Sequence, residues 1–529
     1  MAYYKDLREQ VEALEKAGKL QRIDRPINKD TELQPLVRLQ FRGLPESQRK
    51  AWYFSNVTDS KGSKYDMPVV LGASAASSEI YGIGMQCPVE RISERWTEAQ
   101  AHPIPPRTVS SGPVQEVVHS GESIKTEGLA MLPVPIATPG FDNAPYTSAS
   151  NWITVDPDTG IRNVGNYRGQ IKAPDRLGCF AGSKGQGVYI HWLKWKARGK
   201  PMPVAAVIGV PPNISYAAVT KFPDNVDELA VAGGLAGEAV EMVKCKTIDL
   251  LVPAHAEIVI EGYMPTDTVE PEGPFGEFTG YMAARAITLF MEVTAITHRR
   301  NPLYQGFVSQ FPPSESSKIR QISWEQLMMK ILKVDHGLDN VLDVAYNEAT
   351  GAFAFCVVKI RKRSPDDAKK IFDAYVKGLG LGKIVVVVDE DVDARDPESV
   401  LWAASYRIQP HRDVEIRDCT AYPLDYSVAS PLEGGVRGPA SEQPRSSLLC
   451  IDATTKWPYP PTSLPSKPVM ENAVKIWEAE GLPPLNLKNP WWGYPLGYWP
   501  EENREEAELA LASEYFKTGL RNLQGRRKA

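Results

Sequence analysis

A change in hydrophobic pattern near residue 310 is the feature that most constrains the fold of this chain. From about residue 115 to 310, short apolar runs such as "VAAVIGV" (204–210) and "AEIVIEGYM" (256–264) alternate with Gly, Pro and Asp turns. This pattern is typical of a mainly β domain, either a barrel or a sandwich. Farther on, "PDDAKKIFDAYVKGLG" is followed by "KIVVVVDED". That alternation predicts an α/β domain with a buried strand at 384–388.

The two ends of the chain carry helix signals. Leu7, Val11 and Leu14 recur at helical spacing before Gly18, which predicts an opening helix that ends there. The proline-rich stretch at 101–114 has the composition of a linker, and we place the first boundary there. The segment 501–523 has the pattern of one helix. We therefore predict an α+β multidomain chain divided at 1–115 (N-terminal α/β), 116–315 (central β), 316–335 (linker helix), 336–480 (C-terminal α/β) and 481–529 (tail that contacts another subunit).

Composition narrows the class of partner. The net charge of the 529 residues is -5, from 60 basic and 65 acidic side chains, which argues against a general binder of nucleic acid or of a membrane surface. No apolar run approaches the roughly 20 residues of a membrane span, and the first nine residues are already highly charged. Six cysteines without CxxC spacing fit reduced thiols. We expect a cytoplasmic protein whose partner is a small molecule.

Several motifs do not support the chemistry that they suggest. "DEDVDARD" resembles the start of a calcium loop, but Ala394 occupies the position that needs Gly, and Val400 stands where a bidentate Glu belongs. "GLGLGK" lies after a helix and before a strand, the reverse of a dinucleotide fingerprint, and is interpreted as a helix-ending turn. No histidine pair has HExxH spacing, so a zinc hydrolase has no support.

Two polar turns in the β region are the strongest candidates for a site. "EPEGPFGEFTGY" places carboxylates at Glu270, Glu272 and Glu277 around a tight bend, and "NVGNYRGQ", which has the composition of a β-turn, carries Arg168. An arginine fork can hold a carboxylate through two hydrogen bonds. From the residues alone, a pair of surface hairpins joined by a salt bridge remains an alternative. Similarly, "GSKGQG" (182–187) is either a phosphate-binding loop before a helix or a plain surface turn.

The chain resembles the UbiD-type decarboxylases. The segments "NVGNYR", "FPDNVDE", "VKCKTIDLLVPAHAEIVIEGY", "EPEGPFGEFTGY", "VVVVDEDVDARDPESVLWA" and "IDATTKWP" occur in the order and approximate spacing of that family over most of the chain. The resemblance implies an N-terminal α/β domain, a central split β-barrel similar to flavin reductases, and a C-terminal α/β domain used for oligomerisation. It also implies prenylated FMN, a divalent cation such as Mn²⁺, K⁺, a flavin prenyltransferase that supplies the cofactor, and a homo-oligomer, either a dimer or a hexamer. Loss of CO₂ from an sp² carbon needs an electron sink that side chains do not provide.

The resemblance also assigns roles to individual residues. Arg168 corresponds to the catalytic arginine that orients the substrate carboxylate, Glu272 to its hydrogen-bonded partner, and Glu277 to the acid that protonates the carbon. Glu270 has no role in the family, and we expect it to be solvated.

Cofactor and metal contacts follow in the same way. Asn163 and Glu228 correspond to the metal ligands, and oxygen ligands suit Mn²⁺ or Mg²⁺. Backbone carbonyls at 218–220 correspond to the K⁺ site. The residues expected at the cofactor are Asn166, Tyr167, Arg168, Phe180, Ala181, Gly182, Gly185, Gln186 and Glu228.

Two positions depart from the family pattern. Gly187 stands where some members have a histidine ligand. His191, one helical turn later, is either a replacement ligand or a histidine packed on the helix face. Leu448 replaces a lysine that often precedes the "DAT" motif, which leaves Arg445 as an alternative phosphate contact.

The residues do not identify the substrate. We favour an aromatic or α,β-unsaturated carboxylic acid, with an aromatic acyl-CoA such as phthaloyl-CoA as the alternative. A flavin reductase-like oxidoreductase or a non-catalytic flavin-binding protein is the alternative of another class. The segment 309–320 corresponds to the family's substrate pocket. There Lys318 and Arg320 either contact an anionic part of the substrate or cap and charge a surface helix start.

Overall fold

A computed structural model describes residues 2–181, 185–220, 222, 226–378, 380, 382–421, 424–428, 430 and 445–528. The chain divides into two compact units. One comprises Met1–Gln326, Asn347–Ala354 and Thr420–Ser446, and the other comprises Leu327–Tyr346, Phe355–Cys419 and Ser447–Ala529. The five-part division drawn from the sequence stays a prediction.

The α-helices of the described residues are α1 (Leu7–Lys16), α2 (Leu33–Gly43), α3 (Ser78–Met85), α4 (Ile92–Ala101), α5 (Glu122–Thr126), α6 (Gly187–Ala197), α7 (Pro212–Val219), α8 (Glu228–Ala236), α9 (Glu315–Lys330), α10 (Asp367–Gly378), α11 (Pro397–Tyr406), α12 (Pro410–Asp413), α13 (Lys467–Ala479), α14 (Glu501–Leu511) and α15 (Phe516–Gln524).

The strands of the described residues are β1 (Leu20–Ile23), β2 (Ile27–Asn28), β3 (Ala51–Phe54), β4 (Val57–Thr58), β5 (Lys64–Tyr65), β6 (Val69–Leu71), β7 (Arg107–Thr108), β8 (Val117–Ser120), β9 (Tyr146–Thr147), β10 (Asn151–Val155), β11 (Arg162–Asn166), β12 (Gly169–Ala173), β13 (Arg176–Cys179), β14 (Met202–Ile208), β15 (Glu241–Lys244), β16 (Leu251–Pro253), β17 (Ile258–Met264), β18 (Glu270–Glu272), β19 (Phe275–Gly276), β20 (Met282–Ala283), β21 (Ala286–His298), β22 (Tyr304–Gly306), β23 (Val341–Tyr346), β24 (Phe355–Ile360), β25 (Ile384–Asp389), β26 (Val414–Thr420) and β27 (Arg445–Ala453).

The opening helix is confirmed. The Asp6 side chain caps α1 by accepting a hydrogen bond from the backbone N–H of Glu9, and the apolar positions Leu7 and Leu14 are buried. In contrast, the proline-rich stretch is more than a linker, because its β7 pairs in parallel with β15 in a three-stranded sheet. The linker composition did not indicate this pairing, and the domain boundary placed in this stretch stays a prediction.

The central region is built on a ten-stranded sheet with the path β11-β10-β14-β17-β21-β13-β12-β9, to which β8 and β18 add by pairing with β21. Among the described strands this path stays open and does not close into a barrel. Alternate residues of β14 enter two different hydrophobic cores: Val204 and Ala206 enter one, and Ala205 and Val207 the other. Since both faces of the sheet are buried here, the strands are continuous apolar runs.

The second unit contains a sheet of order β23-β24-β25-β27-β26, in which β24, β25 and β27 run parallel. The predicted buried strand is β25, and α10 precedes it, which confirms the α/β prediction for this region.

The tail differs from its prediction. The segment expected as one helix forms α14 and α15, which are interrupted near Ser513, whose φ is +61°. An ion pair between Arg521 and Glu505 joins the two helices at 3.1 Å. No side chain of α13, α14 or α15 is buried. Over the described residues, none of the helices combines the length and the apolarity needed to cross a membrane.

Candidate active site

The two polar turns meet at one place in the central region. "NVGNYRGQ" is mostly strand rather than turn: β11 ends at Asn166, and β12 begins at Gly169, so Arg168 lies in the short connection. Glu272 ends β18. Gly273 follows with φ +92°, a backbone conformation that favours glycine, and this turn brings the chain back towards β19. Glu277 begins the next turn, in which its N–H donates to the carbonyl of Tyr281 at 2.9 Å.

Arg168 holds both carboxylates. Its Nε and Nη2 each donate to one oxygen of Glu272 at 2.8 Å, and its Nη1 donates to Glu277. The guanidinium also lies 3.9 Å from the ring centre of Phe180 and 4.9 Å from that of Phe275. This arrangement is buried, since the side chains of Arg168 and Glu272 are 9% and 0% exposed, so the surface-hairpin alternative is wrong.

Burial and the neighbouring charges control protonation in this cluster. Burial raises the pKa of Glu277, and Glu272 adds to the rise, while Arg168 and Arg320 oppose it. Burial would lower the pKa of Arg168, but the carboxylates of Glu277 and Glu272 outweigh it, so its pKa is raised. The cluster therefore combines a permanent cation with an acid that keeps its proton to a higher pH than an exposed glutamate does.

A loop before β9, which was not predicted from the sequence, clamps the acid-bearing bend. Asp142 accepts hydrogen bonds from the N–H of Thr138 at 2.7 Å and from that of Gly276 at 3.3 Å. Asn143 donates to the carbonyl of Gly273 at 2.9 Å. Burial raises the pKa of Asp142 to about 6, although these backbone donors oppose the rise. The Asp-Asn pair in "GFDNAPY" is a turn signal that could have drawn attention to this loop.

We expected Glu270 to be solvated, but the structure shows it in two ion pairs. Its carboxylate oxygens lie 3.1 Å from Nζ of Lys172 and 3.2 Å from Nε of Arg176. Since it points to these lysine and arginine side chains of the neighbouring hairpin, it stabilises the base of the bend.

The two predicted metal ligands are 65 residues apart in sequence, and the fold brings their strand and helix into contact. Asn163 is in β11, and Glu228 is the first residue of α8 and accepts a hydrogen bond from the N–H of Val164 at 3.1 Å. Burial raises the pKa of Glu228 to about 7, and the amide Nδ2 of Asn163 is buried without a partner. A cation would compensate the buried carboxylate, and the oxygens of these side chains are ligands that Mn²⁺ or Mg²⁺ accepts. Among the described residues, no three His, Cys, Asp or Glu side chains cluster as a metal site.

The space beside Gly187 has room for glycine alone. A Cβ added to Gly187 would lie 1.9 Å from Oδ1 of Asn163, so no larger residue fits beside this asparagine conformation. His191 is buried, and its Nδ1 lies 2.8 Å from the hydroxyl of Thr154. This contact supports the packed interpretation of His191. Leu448 is buried in β27, whereas Arg445 at the start of that strand is exposed.

Some of the residues expected at the cofactor flank the arginine connection, since Asn166 and Tyr167 directly precede Arg168 and the N–H of Phe180 donates to the Arg168 carbonyl at 3.1 Å. Asn166 donates to the carbonyl of Ser150 at 3.1 Å, and the N–H of Ala181 donates to the hydroxyl of Thr288 at 3.2 Å. Burial raises the pKa of Tyr167 to about 12. Gly185 and Gln186 precede α6, and Gly182 lies outside the described residues.

Asn151 is a further polar residue that sequence reasoning did not select. It lies opposite Asn166 in the β10–β11 pairing, and both polar atoms of its amide are buried without a hydrogen-bond partner. Buried polar groups in native proteins normally have partners. Together with the orphaned amide of Asn163, it makes this part of the sheet fit a polar ligand such as a flavin. Nothing in the sequence around Asn151 distinguishes it from an ordinary strand residue.

Lys318 and Arg320, which we considered as substrate contacts or as charges at a surface helix start, both have partners within the protein. Lys318 is neither at the surface nor available to a substrate, because its side chain is 3% exposed and pairs with Glu46 at 2.9 Å and Glu348 at 3.2 Å. Arg320 lies 3.6 Å from the ring centre of Phe278 and donates to the carbonyl of Gly351 at 3.3 Å. Both cations of this segment therefore contact residues from other parts of the chain.

Known proteins resemble the chain over most of its length. The family model described as the 3-octaprenyl-4-hydroxybenzoate carboxy-lyase Rift-related domain (UbiD) matches residues 107–312, and the model of the corresponding C-terminal domain matches residues 322–441. The UbiD-class enzyme HmfF from Pelotomaculum thermopropionicum, in complex with FMN, is 33% identical with a TM-score of 0.74, over 85% of this chain and 94% of that chain.

Two further solved structures are similar. An evolved dimeric form of HmfF in complex with prFMN is 32% identical with a TM-score of 0.74, over 87% of this chain and 97% of that chain. The vanillic acid decarboxylase of Sedimentibacter hydroxybenzoicus, in its open form, is 27% identical with a TM-score of 0.75, over 91% of this chain and 100% of that chain.

Proposed function

The chain belongs to the UbiD family and is a carboxy-lyase, and on that premise we propose that it decarboxylates an aromatic or α,β-unsaturated carboxylic acid with prenylated FMN as cofactor. The observation that carries the proposal is the contact of one buried arginine, Arg168, with two carboxylates, of which Glu277 has a raised pKa. A cation to orient a carboxylate and an acid to return a proton are the two groups that such a reaction requires of the protein.

The roles of the chain's own residues follow from this geometry. Arg168 binds and orients the carboxylate of the substrate, and Glu272 holds the guanidinium in place through two hydrogen bonds at 2.8 Å. Glu277 delivers its proton to the carbon that has lost CO₂. When bound, the flavin supplies the electron sink that no side chain offers. The aromatic rings that flank Arg168 exclude water, which strengthens each of these charge interactions.

The cofactor and its ions are part of the same proposal. Asn151, Asn166 and Tyr167 would hold the flavin, because they lie around the Arg168 connection and Asn151 has unmet hydrogen bonds. Asn163 and Glu228 would ligate Mn²⁺ or another divalent cation. The carbonyls at 218–220, where α7 ends, would contribute to a K⁺ site.

Larger-scale features complete the proposal. The open ten-stranded sheet corresponds to the split β-barrel of flavin reductase-like domains. The second unit and the tail serve homo-oligomer formation as a dimer or a hexamer, and a flavin prenyltransferase supplies the cofactor. The exposed apolar side chains of the tail support the oligomer, and one of the similar structures is described as a dimeric form.

The alternative functions, a flavin reductase and an aromatic acyl-CoA decarboxylase, require different groups in the active site. A flavin reductase needs no carboxylate-binding cation beside a proton donor, so the Arg168–Glu272–Glu277 cluster favours the decarboxylase. An aromatic acyl-CoA would use the same cluster and stays the alternative within the same reaction type.

The test is a screen of aromatic acids and aromatic acyl-CoA esters with protein co-expressed with a flavin prenyltransferase. We expect CO₂ release without consumption of reduced nicotinamide, and no turnover by the same protein loaded with plain FMN. Oxidation of reduced nicotinamide without CO₂ release would favour the reductase, and equal turnover with plain FMN would contradict the cofactor.

A further inference from the structure

Two arginines of α2 reach the same side of the segment that follows β22. Arg38 and Arg42 are four residues apart and therefore lie on one face of the helix. Arg38 donates to the side-chain oxygen of Gln310 at 2.6 Å and to the carbonyl of Phe311 at 2.9 Å. Arg42 donates to the carbonyl of Pro312 at 3.3 Å, and its guanidinium lies 4.9 Å from the ring centre of Phe311. All of these partners are neutral.

The charge of this pair is not compensated within the part of the chain that the structure describes. No carboxylate there forms an ion pair with either guanidinium, whereas the nearby Arg49 pairs with Glu348 at 3.1 Å. Burial lowers the pKa of Arg38 to about 10, and the charge of Arg42 adds to the effect. Since an arginine keeps its charge at neutral pH, two neighbouring cations without an anion are held at a cost in free energy.

Unmet hydrogen bonds lie beside the pair and reach the acid-bearing bend. The amide nitrogen Nε2 of Gln310 and the hydroxyl of Thr138 are both buried without a hydrogen-bond partner. Both side chains abut Gly276: a Cβ added there would lie 2.6 Å from Cγ of Gln310 and 2.8 Å from the hydroxyl of Thr138. Gly276 directly precedes Glu277. The arginine pair is thus connected through one glutamine to the proposed proton donor.

One member of the pair is also accessible from solvent. Arg42 is exposed, and the ring of Phe311 beneath it is 50% exposed. A ligand can therefore reach the fork of Arg42 from outside, and Arg38 lies one helical turn away. Planar guanidinium groups suit carboxylate and phosphate oxygens through paired hydrogen bonds.

We propose that Arg38, Arg42 and Gln310 form an oxyanion-binding site for a part of the substrate remote from the carboxylate that is removed. The oxyanion is either a second carboxylate or a phosphate of a coenzyme A thioester. The inference rests on the decarboxylase function proposed above and specifies its substrate class as acids that carry a further oxyanion. It also transfers to α2 the role that sequence reasoning considered for Lys318, which Glu46 and Glu348 neutralise.

The test measures dissociation constants by calorimetry with the full-length, cofactor-loaded protein at low ionic strength. One arm compares benzene-1,3-dicarboxylate with benzoate, and the other compares coenzyme A with pantetheine, which lacks its phosphates. The variants are Arg42→Gln and Arg38→Gln, and the control is Arg25→Gln, which removes an exposed positive charge from the same domain. Thermal melts check that each variant is folded.

We expect the parent and Arg25→Gln to bind the oxyanion-bearing member of one arm at least about tenfold more tightly than its counterpart, as charge-assisted hydrogen bonds imply. Arg42→Gln, at an exposed position, and Arg38→Gln should each remove most of that preference. The arm that shows the preference identifies the source of the oxyanion. Absence of a preference in both arms, or a preference that survives in Arg42→Gln and in folded Arg38→Gln, would overturn the proposal.

Failure of the site and failure of the function give different results. If cofactor-loaded protein releases CO₂ from simple benzoic or cinnamic acids but neither arm shows a preference, the decarboxylase stands and the oxyanion site is wrong. If the preference is present and lost in the variants while no acid releases CO₂, the site stands and the proposed reaction is wrong.

Discussion

Replacing Arg168 with lysine keeps the charge of the proposed carboxylate-binding group and removes its fork. Arg168 donates to Glu272 through both Nε and Nη2, at 2.8 Å each, and to Glu277 through Nη1. A single ammonium nitrogen cannot reproduce this geometry, and we expect Arg168→Lys to lose two of the three bonds. At about 1.5 kcal/mol for the weaker charge-assisted bonds, the loss is about 3 kcal/mol. If it appears fully in the transition state, kcat/KM falls about 100-fold.

The assay is the initial rate of CO₂ release from the best acid of the screen, with flavin content measured by absorbance in every sample. The matched control is Arg176→Lys, which makes the same change in an ion pair with Glu270 whose arginine is 43% exposed. Exposed pairs contribute about 1 kcal/mol or less, so the control should lose less than about fivefold. If Arg168→Lys with normal flavin content also stays within fivefold of the parent, then the fork does not hold the substrate carboxylate and the assignment is wrong.

The remaining predictions concern the clamp, the metal and the tail. Asp142 accepts its hydrogen bonds from the bend at full strength only when it is ionised, and burial raises its pKa to about 6. The activity of the parent should therefore fall as the pH falls through about 6. Asp142→Asn should be about tenfold slower than the parent and should not show this loss of activity at low pH. A pH profile of Asp142→Asn that keeps this loss would contradict the prediction. Asn163→Ala and Glu228→Ala should lower bound metal and bound flavin together, as measured by elemental analysis and absorbance, and normal flavin content in both would place the metal elsewhere. Light scattering at micromolar concentration should give a dimer at least, which Phe516→Ser with Leu520→Ser on exposed positions of α15 should weaken; a monomeric parent would refute the role of the tail.

The fold was predictable where the hydrophobic pattern has one physical cause. The helix at Leu7 and the strand β25 follow from local periodicity and from runs of β-branched residues, and both are confirmed. The pattern was less informative in the tail, because exposed helices lack a core that would mark their ends, and the interruption near Ser513 has no strong sequence signal. Composition alone also hid β7, whose pairing partner β15 lies more than a hundred residues away.

The site was predictable only in part, because its second layer is made by contacts that are distant in sequence. The resemblance selected Arg168, Glu272 and Glu277, and the structure brings these three side chains together. It gave no indication of Asp142, whose importance depends on a backbone N–H that lies 134 residues away. Neither alternative considered for Lys318, a substrate contact or a charged surface helix start, included Glu46, because only the fold places this glutamate beside the lysine.

The role of Glu277 as proton donor can be tested by hydrogen exchange, without the decarboxylation step. An enzyme that protonates a ring or vinyl carbon should also exchange that hydrogen with deuterated water when it is given the product alone. Removal of that hydrogen is the reverse of the proposed proton delivery and needs the ionised carboxylate of Glu277. Because burial raises the pKa of Glu277, exchange should weaken as the pH falls through that raised value. Glu277→Gln keeps the size and hydrogen bonding of the side chain but has no transferable proton.

The deciding measurement is the rate of deuterium incorporation into the product, followed by NMR, for the parent and for Glu277→Gln at equal flavin content. We expect incorporation by the parent and a loss of about 100- to 10,000-fold in Glu277→Gln, the range that general acid catalysis contributes. Incorporation by Glu277→Gln at the parental rate would mean that another group delivers the proton, and would contradict the assignment of this bend.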